Sequence, residues 1–211
     1  MNVLVSEISG GDLYNIILSS VAPRPIAWVS SVSASGQLNL APFSFFNCVC
    51  AEPPLLAFAP SMRSSKTSPQ SATGEPKDTL HNIRETKEFV ISVVTYDLLE
   101  PMNISSGEYD RHINEFELAK LTPQPSKVVR PPRVGPSPVS FECKLYQILD
   151  FSTGPDGGSL VIGEVVALHV DDTHMKDGRL DRNSLDLIGR MGGIQYTRTR
   201  DRLELARPKV R

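Results

Sequence analysis

A β-hairpin is predicted by Ile26-Ala27-Trp28-Val29-Ser30-Ser31-Val32, the turn residues Ser33-Ala34-Ser35-Gly36 and the resumption of β-type residues at Leu38-Asn39-Leu40. A second hairpin is predicted where residues 139–151 and 160–170 flank the Gly- and Pro-rich turn 153–158. Two short apolar runs, 55–59 and 89–94, predict buried strands. The chain is therefore rich in short strands from one end to the other.

Helical patterns are few. A helix is predicted from Asp78 to about Lys87, and two more over residues 97–106 and 113–121. Six prolines in the seventeen residues 122–138 exclude a regular helix or central strand and predict an extended surface connection. A binding segment for proline-reading domains is the alternative for that stretch. Many short strands with few helices predict a mainly β fold, an antiparallel barrel that is closed or partly open.

The length of 211 residues fits one domain spanning residues 1–211. The net charge of −2 gives no electrostatic reason to expect nucleic acid or an anionic membrane as partner. The N-terminus lacks a secretory pattern, and the uncharged stretch 25–51 predicts two strands rather than a membrane-spanning helix. Three cysteines at no zinc spacing favour a reducing, cytoplasmic setting, with Cys48 and Cys50 buried rather than acting as a redox pair.

Several common catalytic motifs are absent from the sequence. Neither a Gly-x-Gly-x-x-Gly turn after a strand nor a phosphate-binding Walker loop occurs, and Gly-x-Ser-x-Gly and His-Glu-x-x-His are also missing. Asp110, His112 and Glu115 have a spacing that one helical face could gather, but a surface polar cluster is favoured over a metal site. We therefore expect no bound metal.

Three blocks in order resemble the flavin reductase-like family of split-barrel FMN-binding proteins. The first block is Arg24-Pro25-Ile26-Ala27-Trp28-Val29-Ser30-Ser31 with Gly36-x-x-Asn39-Leu40-Ala41-Pro42-Phe43-Ser44-Phe45-Phe46-Asn47 and Pro53-Pro54. The second is Pro76-Lys77-Asp78-Thr79-x-x-Asn82-Ile83 with Phe89-Val90-Ile91-Ser92, and the third is Gly189-Arg190-Met191-Gly192-Gly193-x-x-Tyr196. The resemblance runs from about residue 12 to residue 196.

The resemblance implies an antiparallel, Greek-key split β-barrel with a few peripheral helices. It also implies noncovalent FMN, NAD(P)H as hydride donor, and a homodimer with the flavin at or near the interface. The cradle residues that it implies are Trp28, Val29, Ser30, Ser31, Asn39, Ala41, Pro42, Phe43 and Ser44, with Arg190 and Tyr196 contributing at the interface. An apolar wall with a few polar groups suits a flavin ring, although a packed barrel interior explains some of the same residues.

A phosphate site is predicted where Lys77 and Thr79 stand at a helix start, because an ammonium, a hydroxyl and free backbone N–H groups meet there. Asp78 is expected to cap that helix, and a solvent-facing lysine is the alternative for Lys77. Arg63 is either a second phosphate ligand or a solvated loop charge. It belongs to the polar segment 61–75, which either covers the phosphate end of the flavin or is mobile.

Three functions follow from these observations. The first is an FMN-dependent oxidoreductase that takes hydride from NADH or NADPH and passes electrons to free flavin or another acceptor. The second is a noncatalytic FMN-binding storage, sensor or electron-carrier protein. The third is a barrel interaction module that uses the Pro-rich segment 122–138.

Overall fold

The main element of the fold is an antiparallel sheet of seven strands. The computed structural model describes residues 2–63, 75–152, 154 and 157–209. In chain order the sheet strands are β1 (Ala27–Val32), β2 (Leu38–Phe43), β3 (Phe46–Ala51), β4 (Pro54–Phe58), β5 (Glu88–Ser92), β8 (Val139–Ser152) and β9 (Gly158–Val170). They lie side by side in the order β2-β1-β5-β8-β9-β4-β3, and every neighbouring pair is antiparallel.

The two edge strands of this sheet are joined directly. β2 ends at Phe43 and β3 begins at Phe46, so only Ser44 and Phe45 separate them. The short link brings the opposite edges of the sheet together and curves it into a barrel, while no hydrogen-bonded ladder joins β2 to β3 in the described part. The fold is thus mainly β, a split barrel as predicted, and the link lies at its opening.

Helices and small hairpins surround the barrel. The α-helices are α1 (Gly10–Ser20), α2 (Asp78–Thr86), α3 (Leu99–Ile104) and α4 (Glu115–Leu118), and 3-10 turns occupy Val5–Glu7, Tyr96–Leu98 and Asp172–His174. Three two-stranded ladders pair β6 (Pro123–Gln124) with β7 (Arg133–Val134), β10 (Met175–Lys176) with β11 (Arg179–Leu180), and β12 (Ile188–Arg190) with β13 (Tyr196–Arg198).

Strand β1 is buried on both faces because it separates two apolar clusters. Val29 points into the barrel, where it packs with Phe58 and Phe89 among others, and helix α2 closes this side with Leu80 and Ile83. Trp28, one position earlier, points to the opposite side, as alternation along a strand requires. Its cluster lies under α3 and α4, and the Trp28 indole N–H donates to Ser105 Oγ at 2.9 Å.

The predicted strands and hairpins are confirmed, and the helix predicted from Asp78 is α2. The other two predicted helices are shorter, since residues 97–106 hold a 3-10 turn and α3, and residues 113–121 hold only α4. Helix α1 was not predicted. It begins with Gly10-Gly11, both poor helix formers, and it has no fully buried residue, so no clear buried stripe stands out in the sequence.

The prediction that Cys48 and Cys50 are buried is wrong, because both are exposed on β3. Among the described residues this strand pairs with β4 alone and lies at the edge of the sheet. The pairing slips by one residue at this point, so Cys48 faces Leu56 and Cys50 faces Leu55, which are consecutive residues. The two thiols therefore lie on opposite sides of the sheet rather than together.

The Pro-rich segment 122–138 is an extended connection that is tied closely to the sheet. The buried carboxylate of Glu142 on β8 accepts the backbone N–H groups of Lys127 (2.7 Å), Val128 (2.6 Å) and Val129 (3.1 Å), and it contacts His169 Nε2. Burial raises the pKa of Glu142, but these donors outweigh it and bring the pKa to about 2. The segment is therefore held by an ionised carboxylate.

Two further features bear on function. Within the described ranges, no three His, Cys, Asp or Glu side chains come together in a way that could hold a metal ion. The part of the chain that the structure describes also has no helix of the length and apolar character needed to cross a membrane.

Candidate functional site

Two adjoining cavities open beside the link between β2 and β3. The large cavity has a volume of about 560 Å³ and lies between α1, the β2–β3 link, α3 and the β12–β13 ladder. The small cavity, of about 60 Å³, lies between β2, the start of α2 and the residues after α3. Both are lined by Pro42, Phe43, Lys77 and Ser106, so the two spaces form one continuous cleft.

Lys77 stands where the two cavities meet, at the N-cap position of α2. Burial lowers the pKa of its ammonium, an effect that Glu108 opposes and Arg63 reinforces. The first N–H groups of a helix have no partner within that helix. Asp78 and Thr79, in the first turn of α2, line the small cavity. An ammonium and free N–H groups together are suited to an anion such as a phosphate.

Asp78 does not cap α2, which corrects the sequence expectation. The N-cap residue is Lys77, whose side chain makes no capping hydrogen bond, and Asp78 follows it in the first helical turn. Its carboxylate instead accepts from Arg63 Nη2 at 2.5 Å and lies 3.7 Å from Arg111 Nε. An acidic group in the first turn complements the helix dipole without capping it. Arg63 therefore reaches the cleft already paired with a carboxylate.

A buried polar network holds α2 against the hairpin of β1 and β2. Asn39 Nδ2 donates to Thr79 Oγ1 at 2.8 Å and to Ser31 Oγ at 3.2 Å, and Asn82 Nδ2 donates to the same Ser31 hydroxyl at 3.1 Å. All four residues are buried. The network fixes the start of α2, and with it Lys77, relative to the strands that form the cleft wall.

A buried carboxylate also lines the small cavity. Glu115, in the first turn of α4, accepts the backbone N–H of Leu40 at 3.0 Å. Burial raises its pKa, and the hydrogen bond from Leu40 acts in the opposite direction. Glu115 therefore joins α4 to β2 and does not belong to a polar surface cluster with Asp110 and His112.

The large cavity has an apolar wall and a basic end. Pro42, Phe43 and Ser44 form its floor at the β2–β3 link. At the other end, the Arg190 guanidinium lies over the Tyr196 ring, 4.5 Å from its centre, and donates to the Tyr196 hydroxyl and to a backbone carbonyl oxygen. A flat apolar slot with polar groups at its rim can accept a planar heterocycle.

Ten of the fourteen predicted site residues line the cleft, and four lie behind it. The ten are Asn39, Ala41, Pro42, Phe43, Ser44, Arg63, Lys77, Thr79, Arg190 and Tyr196. Trp28 and Val29 are interior residues of the two apolar clusters, and Ser30 donates to the carbonyl oxygen of Pro132 at 2.5 Å. Ser31 reaches the cleft only through Asn39. Segment 61–75 was predicted either to cover the phosphate end of the flavin or to be mobile. Residues 64–74 of this segment lie outside the described residues.

The structure adds cleft residues that the sequence did not indicate. Tyr14, Asn15 and Leu18 come from α1, which the sequence did not predict. Arg24 was part of a recognised block, yet nothing in the sequence gave it a role in the site. The last turns of α1 lie beside Gly192, in the turn between β12 and β13, which places the helix next to the cleft.

A split barrel with an apolar cleft at its opening can accept a planar cofactor, and comparison with known proteins gives the family. The family model for the flavin reductase like domain matches residues 19–184. The chain belongs to this family.

Solved structures resemble the chain along almost its whole length. Nitrilotriacetate monooxygenase component B from Bacillus cereus is 32% identical with a TM-score of 0.88, and the match covers 97% of this chain and 98% of that one. The 2-nitrobenzoate 2-nitroreductase of Pseudomonas fluorescens is 33% identical with a TM-score of 0.84, covering 99% and 96%. A Shewanella frigidimarina protein with a split barrel domain shares the fold at 23% identity, with a TM-score of 0.80 over 99% and 100% of the two chains.

Proposed function

We propose that the protein is an FMN-binding oxidoreductase, an NAD(P)H-dependent flavin reductase that passes electrons to free flavin or another acceptor. The observation that carries this proposal is the position of Lys77 and the start of α2 at the junction of the two cavities. A phosphate bound there leaves the large cavity, with its apolar floor, for the isoalloxazine ring. The cleft residues therefore fit FMN in both charge and shape.

FMN supplies the hydride chemistry when it is bound, so the chain needs no acid–base triad of its own. Lys77 and the first N–H groups of α2 would hold the phosphate, and Pro42, Phe43 and Ser44 would line one side of the ring. A nicotinamide would approach the face of the ring that these residues leave uncovered. The task of the protein is to hold the ring in place and leave one face accessible.

We further propose that the protein acts as a homodimer in the cytoplasm. Large apolar side chains are exposed along the far half of β8 and on β3, with exposed fractions of 70% for Phe151, 56% for Tyr146 and 56% for Val49. Exposed apolar patches of this kind mark association surfaces. Light scattering should give twice the mass of one chain, and Phe151→Asp should shift the protein toward monomer. Leu180→Asp, in the β10–β11 hairpin, is the matched control and should leave the mass unchanged.

The reaction is tested by adding NADH or NADPH to the FMN-loaded protein without oxygen. Bleaching of the visible flavin absorption band is expected with one or both nucleotides, and reoxidation by added free flavin or oxygen should restore the band. Denaturation should release intact FMN, because the proposed binding is noncovalent. Tight FMN binding with no bleaching by either nucleotide would instead support the storage or electron-carrier function.

A further inference from the structure

The small cavity has more acidic than basic side chains in its wall, although it is the proposed site of a phosphate. Among the described residues that line it, Arg63 and Lys77 are cationic, and Asp78, Glu108 and Glu115 are acidic. A phosphate monoester carries a charge of about −2 above its second pKa of about 6. Like charges in a partly buried site disfavour the ionised form of a carboxyl group. Entry of the phosphate therefore favours protonation of one of the three acids.

Two of the three acids have surroundings that keep them ionised. Asp78 pairs with Arg63 at 2.5 Å and lies 3.7 Å from Arg111 Nε. Glu108 is exposed to water, and its charge raises the pKa of the Lys77 ammonium against the effect of burial. Nearby cations and water both stabilise the charged form of a carboxyl group. We therefore do not expect Asp78 or Glu108 to accept the proton.

Glu115 lacks both kinds of support. It is only 7% exposed, and it forms no ion pair with a Lys or Arg in the part of the chain that the structure describes. Its Oε2 accepts the backbone N–H of Leu40 at 3.0 Å, while Oε1 accepts a hydrogen bond from no other described residue. Burial is the main cause that raises the pKa of Glu115, and the charge of Asp78 adds to it. The N–H groups of Leu40 and of Glu115 itself, and the charge of Arg63, act in the opposite direction.

We infer that Glu115 binds the phosphate of FMN as a neutral carboxylic acid, which it becomes by taking one proton from the solvent when FMN enters. This inference rests on the proposed function, since the phosphate is taken to lie at Lys77 and the start of α2. No bond of FMN forms or breaks. The Glu115 carboxylate gains the proton, and the resulting O–H donates a hydrogen bond to a phosphate oxygen. Where one proton is taken up per ligand, affinity falls about 10-fold for each unit by which the pH rises.

The test is calorimetric titration of the apoprotein with FMN in buffers that differ in ionisation enthalpy, because the differences in apparent enthalpy give the number of protons taken up. It is done at about pH 7, where the phosphate of free FMN is already mostly dianionic. We expect uptake of roughly 0.5 to 1 proton per FMN, and none for riboflavin, which has no phosphate.

Three variants locate the proton. Glu115→Gln keeps an oxygen for the Leu40 N–H and offers an amide N–H to the phosphate, so it should bind FMN without proton uptake. Lys77→Arg has a side chain that is always charged, so it should retain the uptake. Glu117→Gln, at an exposed position of the same helix, is the matched control and should also retain it.

Other results would assign the proton to a different group. Loss of the uptake in Lys77→Arg would place the proton on the ammonium, and retention of the uptake in Glu115→Gln would place it outside Glu115; either result overturns the inference. FMN binding without uptake by the unmodified protein overturns it even if Glu115→Gln does not fold. Infrared difference spectra of the unmodified protein should also show a new carboxyl C=O band when FMN binds but not when riboflavin binds, and absence of that band overturns the inference. Failure of the proposed function would show earlier, because the unmodified protein would not bind FMN.

Discussion

Replacement of Lys77 by alanine tests the phosphate site most directly. A charge-assisted hydrogen bond contributes about 1.5 to 3 kcal/mol, so Lys77→Ala should weaken FMN binding roughly 10- to 150-fold. We expect the upper part of that range, because Lys77 is sufficiently buried to lower its pKa and water screens its charge less than at the surface. Thr79→Val should cost less, since the backbone N–H groups at the start of α2 remain.

The assay is titration of the apoprotein with FMN and with riboflavin, followed by flavin fluorescence. Riboflavin has no phosphate, so its affinity should hardly change in Lys77→Ala. Lys77→Arg should restore most of the FMN affinity, and Lys176→Ala, at an exposed position in β10, should behave like the unmodified protein. Equal weakening of FMN and riboflavin would refute the phosphate site, because Lys77 would then act on folding or on the ring. No change for either flavin would show that Lys77 does not bind the phosphate.

Three further predictions concern pH and packing. FMN affinity should fall as the pH rises through the lowered pKa of Lys77, earlier than for an ordinary lysine, and titrations of Lys77→Arg should be flat over the same range. Glu142→Ala should lower the free energy of unfolding by about 3 to 5 kcal/mol against a Glu164→Ala control. In the unmodified protein the ionised Glu142 contributes its full stabilisation above the ordinary Glu pKa of 4.5, and this stabilisation is lost as the pH falls toward about 2. The free energy of unfolding of Glu142→Gln should therefore depend less steeply on pH in this acid range. A Cβ at Gly163 would lie 2.2 Å from Phe89 Cζ, so Gly163→Ala should lower the free energy of unfolding by about 1 to 3 kcal/mol, measured by denaturant titration. Gly11 has open space around it, so Gly11→Ala should not destabilise the protein.

The interior strands were predictable because their signals are local. β-branched and aromatic residues with Gly or Pro at the ends specify β1 and its hairpin with β2 without reference to the rest of the chain. Helix α1 was missed because it starts at two glycines and has no fully buried residue. The exposure of Cys48 and Cys50 was missed because residue type does not say that β3 lies at the edge of the sheet.

The candidate site was likewise predictable from the sequence only in part. The sequence indicated Lys77 and Thr79 as an anion site because a helix start can be recognised from neighbouring residues. It did not indicate that Asp78 pairs with Arg63, since that contact spans fifteen residues of chain. Trp28 belongs to a conspicuous block, yet it is packed inside the apolar cluster under α3 and α4 and does not itself line the cleft.

The sequence by itself determined the mainly β fold and the segments from which the cleft is built, because strand, turn and helix-start preferences act over a few residues. The family followed from the resemblance of three ordered blocks of sequence. Only the tertiary structure decided which charged groups meet polar partners from distant parts of the chain. Arg24 donates to carbonyl oxygens at the C-terminal end of α1 and forms a backbone bridge with Arg190, which is distant in the chain. Glu142 accepts three backbone N–H groups of the Pro-rich segment and so ties that segment to β8. Electrostatic interactions depend on distance in space and on burial, and both are set only when the whole chain has folded.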